Sequence, residues 1–168
     1  MDSLFRPDVG TWTPVSPRLA TARRGLGLVW IVVLWAAAAA GTGIPVATTD
    51  DWPWWPLAAV TVVAVAAGVA LWVWAGRNRR SWGYLEAESD LLVTRGVMFR
   101  RLVAIPYGRM QFVDVSAGPV ARRLGIATVT LHTASTETAA DIPGVPADEA
   151  RRLRNRLTEI GESHGAGL

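Results

Sequence analysis

The chain has two imidazoles, His132 and His164, and no cysteine. A protein metal centre gathers three or four ligands. His132 falls in a threonine-rich alternating stretch and His164 in the polar C-terminal segment, so both read as surface histidines. Without cysteine there is no disulfide, no thiolate nucleophile and no thiolate metal site. Glu86 and Glu88 stand two apart on an expected strand and so share a face. Paired carboxylates can do acid–base work, but no base, ligand set or cleft signal accompanies these two. They read as a solvated strand face. No nucleophile elbow, phosphate loop or dinucleotide fingerprint occurs, and Ser89, Ser116 and Ser135 sit in turn-like surroundings. The expectation is a protein that is not an enzyme, with no catalytic residue, no metal and no cofactor.

The arginines remain. The formal net charge is +3, and every base is an arginine. Residues 81–168 carry ten arginines and ten acids. That balance argues against nucleic acid, whose partners concentrate positive charge on one domain. Arg100 and Arg101 open an expected strand, and Arg122 and Arg123 lie on an expected short helix. Both pairs are candidate contacts for a partner or for anionic headgroups, the latter worth about 1 kcal/mol per arginine near a membrane surface. The plainer reading is a solvated face.

These residues must be positioned by something, and the charge deficit says by what. Only 18% of residues are charged and 51% are hydrophobic, where a soluble domain carries roughly 25% charged. The deficit is local: residues 25–76 contain Asp50 and Asp51 and no other charge. Within them, residues 25–43 and 56–76 are uncharged runs, apolar on every face, near the roughly 20 residues a spanning helix needs. A cleaved signal peptide has a core of about 7–15 residues close to its start, so an uncleaved anchor is expected. Residues 1–24 read as a flexible cytoplasmic tail, 25–76 as a transmembrane hairpin, and 44–55 as its outer loop.

Orientation follows from arginine placement. Arg18, Arg23 and Arg24 precede the first span, Arg77, Arg79 and Arg80 follow the second, and the loop holds acids only. The positive-inside rule places both termini in the cytoplasm of a multi-pass plasma-membrane protein. Tryptophan favours the headgroup level. Arg23, Arg24, Arg77, Arg79 and Arg80, with Trp52, Trp54, Trp55, Trp72 and Trp74, are therefore the expected membrane-interface residues. Trp30 and Trp35 lie in the first span. Small residues (Ala36 to Gly43; Ala64, Ala67, Gly68) allow close helix packing, within one chain or in a homo-oligomer.

After Ser81 the pattern becomes short alternations between turn signals. Six strands are expected: WGYLEAES, LLVTR, FRRLVAIP, MQFVDV, ATVTLHT and AADIP. In the fourth, Met110, Phe112 and Asp114 should share one face and Gln111, Val113 and Val115 the other. In the fifth, Val129 and Leu131 should face one side and Thr128, Thr130 and His132 the other. TASTET is an expected polar turn. GPVARRLG suits a short helix, with Pro119 at its first position and Gly125 just past its end. Residues 146–161 suit a longer one, acidic in its first turn through Asp148 and Glu149. Its apolar stripe is Ala150, Leu153, Leu157 and Ile160, with arginines 151, 152, 154 and 156 on the other faces. Gly161 should end it, leaving 162–168 as a disordered tail.

Several pieces together resemble the bacterial pleckstrin-homology-like domain of YdbS-like membrane proteins. They are Leu92 to Gly96, Ile105-Pro106, Arg109-Met110-Gln111, Val113-Asp114-Val115, Gly118-Pro119, Leu124-Gly125-Ile126-Ala127 and Thr133-Ala134, across about residues 28–160. The resemblance implies two roughly orthogonal antiparallel sheets closed at one end by the last helix, with seven strands where six are legible. It implies a membrane-associated interaction module with no known enzymatic activity, and a groove beside the closing helix where related phosphotyrosine-binding domains add a peptide strand. One departure matters. The loop between the first two strands carries Glu86, Glu88, Ser89 and Asp90, an acidic set that opposes an anionic ligand and argues against phosphoinositide binding.

The expected fold class is thus α+β: a two-helix transmembrane hairpin, then a PH-like antiparallel barrel or sandwich at 81–161 closed by a C-terminal helix. The expected partners are the lipid bilayer and a protein, with a second copy of the chain as one candidate. Two alternative readings are an accessory subunit of a transport or secretion complex acting through the hairpin, and a membrane-anchored OB-like barrel.

Overall fold

The computed structural model of the protein describes residues 5, 7, 10–48, 53–133 and 139–165. It divides into two units: a helical hairpin of residues 23–76, and a folded domain of residues 1–22 with 77–168. Helix α1 runs Arg18–Thr48 and α2 runs Trp55–Ser81. Both exceed the expected spans. α1 starts early because Ser16 Oγ accepts from the Arg18 amide at 3.3 Å, a side-chain cap of the kind that opens helices.

Each helix holds a stretch long and apolar enough to cross a membrane. Their large side chains lie open, as at Leu34, Val62 and Val65. A surface that apolar has no stable place in water. Within the hairpin, a side chain at Gly27 would collide with Leu71, so glycine lets the helices approach there. Trp35 Nε1 donates to Thr61 Oγ1 across the pair at 3.3 Å. The acids expected in the connecting loop, Asp50 and Asp51, lie outside the described residues.

The domain's first sheet has the order β1-β2-β3-β4, from β1 Thr13–Pro14, β2 Gly83–Glu86, β3 Asp90–Arg95 and β4 Arg101–Pro106. The second has the order β5-β6-β7, from β5 Met110–Ser116, β6 Ile126–Thr133 and β7 Ala140–Pro146. All pairings are antiparallel. No pairing joins the two sheets among the described residues, so they do not close into a barrel. A 3-10 turn, Tyr107–Arg109, carries the chain from one to the other. Helix α3, Pro119–Arg123, links β5 to β6, with proline at its start and Gly125 left-handed (φ +64°) just beyond. Helix α4, Ala147–Gly165, comes last.

One core serves both sheets. Leu91, Val93, Ile105, Val129, Leu131, Ile142 and Val145 are sealed from solvent. Ala150, Leu153 and Leu157 of α4 are sealed with them, and Ile160 packs at the margin. The stripe read at 3.6-residue spacing is therefore the surface that closes the core.

The N-terminal stretch, expected to be a flexible tail, is part of this domain. Thr13 pairs with Tyr84 and Pro14 with Gly83, which supplies the seventh strand. Val15 and Leu19 are buried in the core. Ser16 N donates to the Gly144 carbonyl at 2.9 Å on the outer edge of β7. Gly144 is left-handed (φ +74°), and any side chain there would strike Leu19, so glycine serves both the turn and the close approach. These contacts outweigh the polar, proline-punctuated composition. α4 also departs from expectation. It passes through Gly161 to Gly165, because a single helical glycine costs only about 1 kcal/mol relative to alanine. Residues 166–168 and the TASTET turn at 134–138 lie outside the described residues.

Candidate binding surfaces

In the hairpin, the Arg24 guanidinium sits 4.0 Å over the Trp72 ring and donates to the Trp72 carbonyl at 3.2 Å. Arg23 lies 5.8 Å from the Trp74 ring centroid. Arginine over a tryptophan face is favourable, the more so when desolvated. Four predicted residues are thus brought together as two cross-helix pairs. Trp54 and Trp55 are exposed at the start of α2, and Trp52 lies outside the described residues.

Arg77 and Arg80 are exposed, but Arg79 is half-buried and its Nε donates to the Val15 carbonyl at 3.3 Å. Through that bond Arg79 holds the N-terminal segment in the domain. Its neighbour Asn78 accepts from Trp82 Nε1 at 3.2 Å, which fixes the exit from α2.

In the domain, the two arginine pairs stand apart. Arg100 and Arg101 are exposed at the β3–β4 hairpin of the first sheet, and Arg122 and Arg123 are exposed on α3 beside the second. Arg18 Nη1 donates to the Leu124 carbonyl at 3.1 Å, tying the start of α1 to the end of α3.

Glu86 is not on a solvated face. Arg152 Nη2 reaches Glu86 Oε1 at 2.6 Å and Glu149 Oε1 at 2.6 Å, and Arg156 Nε lies 3.2 Å from Glu86 Oε2. Tyr84 donates its hydroxyl to Glu149 Oε1 at 3.0 Å. The Arg152 hydrogen bonds hold the Glu149 carboxyl below its ordinary range. Burial, reinforced by the Glu149 charge, pushes the Tyr84 hydroxyl well above its own. Charge-assisted bonds of this kind join helix to strand. Glu88, by contrast, is exposed in the β2–β3 turn.

On the other flank of α4 lies a groove of about 390 Å³, lined by Met110, Gln111, Phe112 and Val113 of β5 and by Leu157, Thr158 and Gly161 of α4. β5 ends its sheet and pairs with β6 alone among the described residues. Its pairing slips between Met110 and Phe112. That bulge breaks the expected alternation. Met110 joins Val113 and Val115 against the core, while Phe112 turns outward, 57% exposed. There its ring stacks on His132 with centroids 4.1 Å apart and planes 14° from parallel. A strand at the edge of its sheet beside an apolar-floored groove can take an extended peptide as a further strand. Sequence reasoning missed Phe112 because a bulge leaves no composition signal.

No group of three or more potential metal-ligating side chains occurs among the described residues. The family model for the bacterial PH domain matches residues 25–160. A transmembrane protein of Bacillus subtilis (strain 168), YdbS of the UPF0699 group, is 28% identical over 110 residues, covering 65% of this chain and 68% of the relative. No solved structure matches the chain.

Proposed function

Because the chain belongs to the bacterial PH domain family and is a membrane protein, we propose that it is a non-catalytic interaction module held at the cell membrane, taking a protein partner along β5. The observation that carries this reading is the outer edge of β5, unpaired among the described residues, beside the groove under Leu157, Thr158 and Gly161. Main-chain bonds to β5 would give affinity, and the pocket around Phe112 would select side chains. The acidic turn at Glu88 and Asp90 argues against phosphoinositide as the ligand. Both helices span in this reading, with the arginine-rich flanks and both termini on the cytoplasmic side. The OB-like alternative is set aside by the family match and by two separate sheets with the long helix last.

A second reading, an accessory subunit of a membrane complex, is favoured by one feature of the hairpin. An open apolar groove of about 410 Å³ runs between its helices, floored by Ala38, Ala59, Ala64 and Ala67 and flanked by Trp35. Small residues of this kind admit another helix.

Photoreactive residues in place of Phe112, Thr158, Glu159, Ala38 and Ala59, one at a time in the full chain in native membranes, test the first reading. The same protein adduct at Phe112 and Thr158, absent at Glu159 on the opposite flank of α4, is the expected result. No protein adduct at the groove positions, with adducts at Ala38 or Ala59 instead, would transfer the function to the hairpin.

A further inference from the structure

The β3–β4 hairpin ends in a tip that no feature of the groove explains. Met98 is 86% exposed and Phe99 80% exposed, more than any other large apolar side chain described, the helices' included. Two adjacent side chains of this size, both open at a turn, make a contiguous apolar patch, the kind of surface that marks a contact site. The tip is held open by its backbone. Gly96 is left-handed (φ +106°), and a side chain there would collide with the Phe99 carbonyl.

Arginines surround it. Arg95 and Arg101 stand directly opposite each other across the strands, and Arg100 is beside them. Like charges in that position repel, and an anion lying between them relieves that repulsion. No acid occurs from Leu91 to Val113. The other end of β3 is of opposite character, with Glu88 and Asp90 in its turn.

Register then says which end this is. Gly83 pairs with Thr94, so the tip projects from the end of the sheet at which the chain arrives from α2. Gly83 is seven residues beyond Gly76, the last residue of the apolar stretch, and seven residues span at most about 25 Å. Covalent reach therefore keeps Gly83 within about 25 Å of the end of the apolar stretch, and the tip, four residues past Thr94, extends from that same end of the sheet.

We propose that this tip is a membrane-docking wedge: Met98 and Phe99 enter the lipid, while Arg95, Arg100 and Arg101 take the phosphates of an anionic leaflet. Apolar residues ringed by arginine suit that interface. A protein site would have to match both the apolar tip and three cations within covalent reach of the span, whereas an anionic leaflet supplies all of this at once. The wedge does not depend on the β5 groove, which belongs to the other sheet.

The absence of cysteine makes the test clean. Met98→Cys and, as control, Glu88→Cys carry an environment-sensitive fluorophore in the full chain, reconstituted into bilayers of phosphatidylcholine or of phosphatidylcholine with phosphatidylglycerol. Lipids bearing an acyl-chain nitroxide serve as quencher. In phosphatidylglycerol bilayers the Met98→Cys probe should shift to the blue and be quenched several-fold more than the control. Replacing the three arginines together by glutamine should return it to the control's level without changing thermal unfolding. Equal quenching at the two positions overturns the proposal. So does equal quenching of the Met98→Cys probe with and without phosphatidylglycerol, which removes the anionic component. A blue shift without nitroxide quenching also overturns it, because the tip is then buried against protein.

Discussion

The two flanks of α4 are built differently. On one, Arg152 and Arg156 lock to Glu86, and Glu149 accepts from Tyr84, so helix and first sheet are joined by charged hydrogen bonds. On the other, Thr158 and Gly161 face β5 across a groove floored by Leu157. Between them runs the buried stripe of Ala150, Leu153 and Leu157. Helical geometry sets this division: residues 149, 152 and 156 fall on one side of the stripe and 158 and 161 on the other, at 100° per residue. The lesson is a separation of tasks. Closure of the core is secured by the stripe and the charged flank, and does not require the open flank to be filled.

The largest break is expected at the stripe. Leu153→Asp removes a sealed side chain and buries a charge with no partner, at a cost of about 3–5 kcal/mol or more. Whole-domain stability is commonly only about 5–15 kcal/mol. Hydrogen exchange should show the amides of Val129 and Leu131 losing protection together with those of α4. Retained protection in β6 would mean that the helix does not close this core.

A smaller effect is expected on the charged flank, and it has a sign. Glu149 is held below its ordinary range chiefly by Arg152. Its contribution to stability is present above the usual carboxylate range near 4.5 and is lost as pH falls through the depressed value. Arg152→Gln should therefore cost about 1 kcal/mol near neutrality, the scale of a partly exposed pair. It should also flatten the acid limb of the stability profile. Thermal unfolding of the detergent-solubilised chain between pH 3 and 7 (endpoints set roughly by the carboxylate range) reads both. An unchanged acid limb would show that Glu149 is not governed by Arg152.

The difference between the flanks also separates what was legible in the sequence from what was not. Signals that repeat along the chain survived folding. The two uncharged runs became α1 and α2, the alternation of Val129 and Leu131 became the buried face of β6, and Pro119 and Gly125 bounded α3. The stripe of α4 belongs to this class. Features made by partners far apart in sequence were not legible. Arg152 meets Glu86 across 66 residues, so the arginine read as solvent-facing and the glutamate as a bare strand face. β1 is two residues long and exists only through its pairing with β2, too short for any periodicity. Charge and position beside a span mark Arg79 as an interface residue, but its hydrogen bond to the Val15 carbonyl, which depends on where the N-terminal segment folds, left no sign in the sequence. The pairing of Arg24 with Trp72 is an intermediate case: composition named the residues, and only helix packing could join them. The bulge at Gln111, which opens the groove side of β5, has no local signature at all.

The smallest stability effect and the sharpest functional one should coincide at Gly161. A side chain there meets nothing within 4 Å, and its φ is not in the left-handed region. Replacing a helical glycine by a residue that favours helix gains up to about 1 kcal/mol. Gly161→Leu should therefore leave the unfolding midpoint unchanged or raise it, while its side chain fills the space between α4 and β5. If the groove takes a peptide strand, the adducts formed from Phe112 and Thr158 should disappear in this variant, and fluorescence from the Met98→Cys tip should be unaffected. That combination separates the flanks, because the charged one answers only in stability and the open one only in binding. Adducts that persist in a Gly161→Leu chain of normal stability would place the partner elsewhere on β5. The contrast between the two sides of α4 would then be one of packing alone.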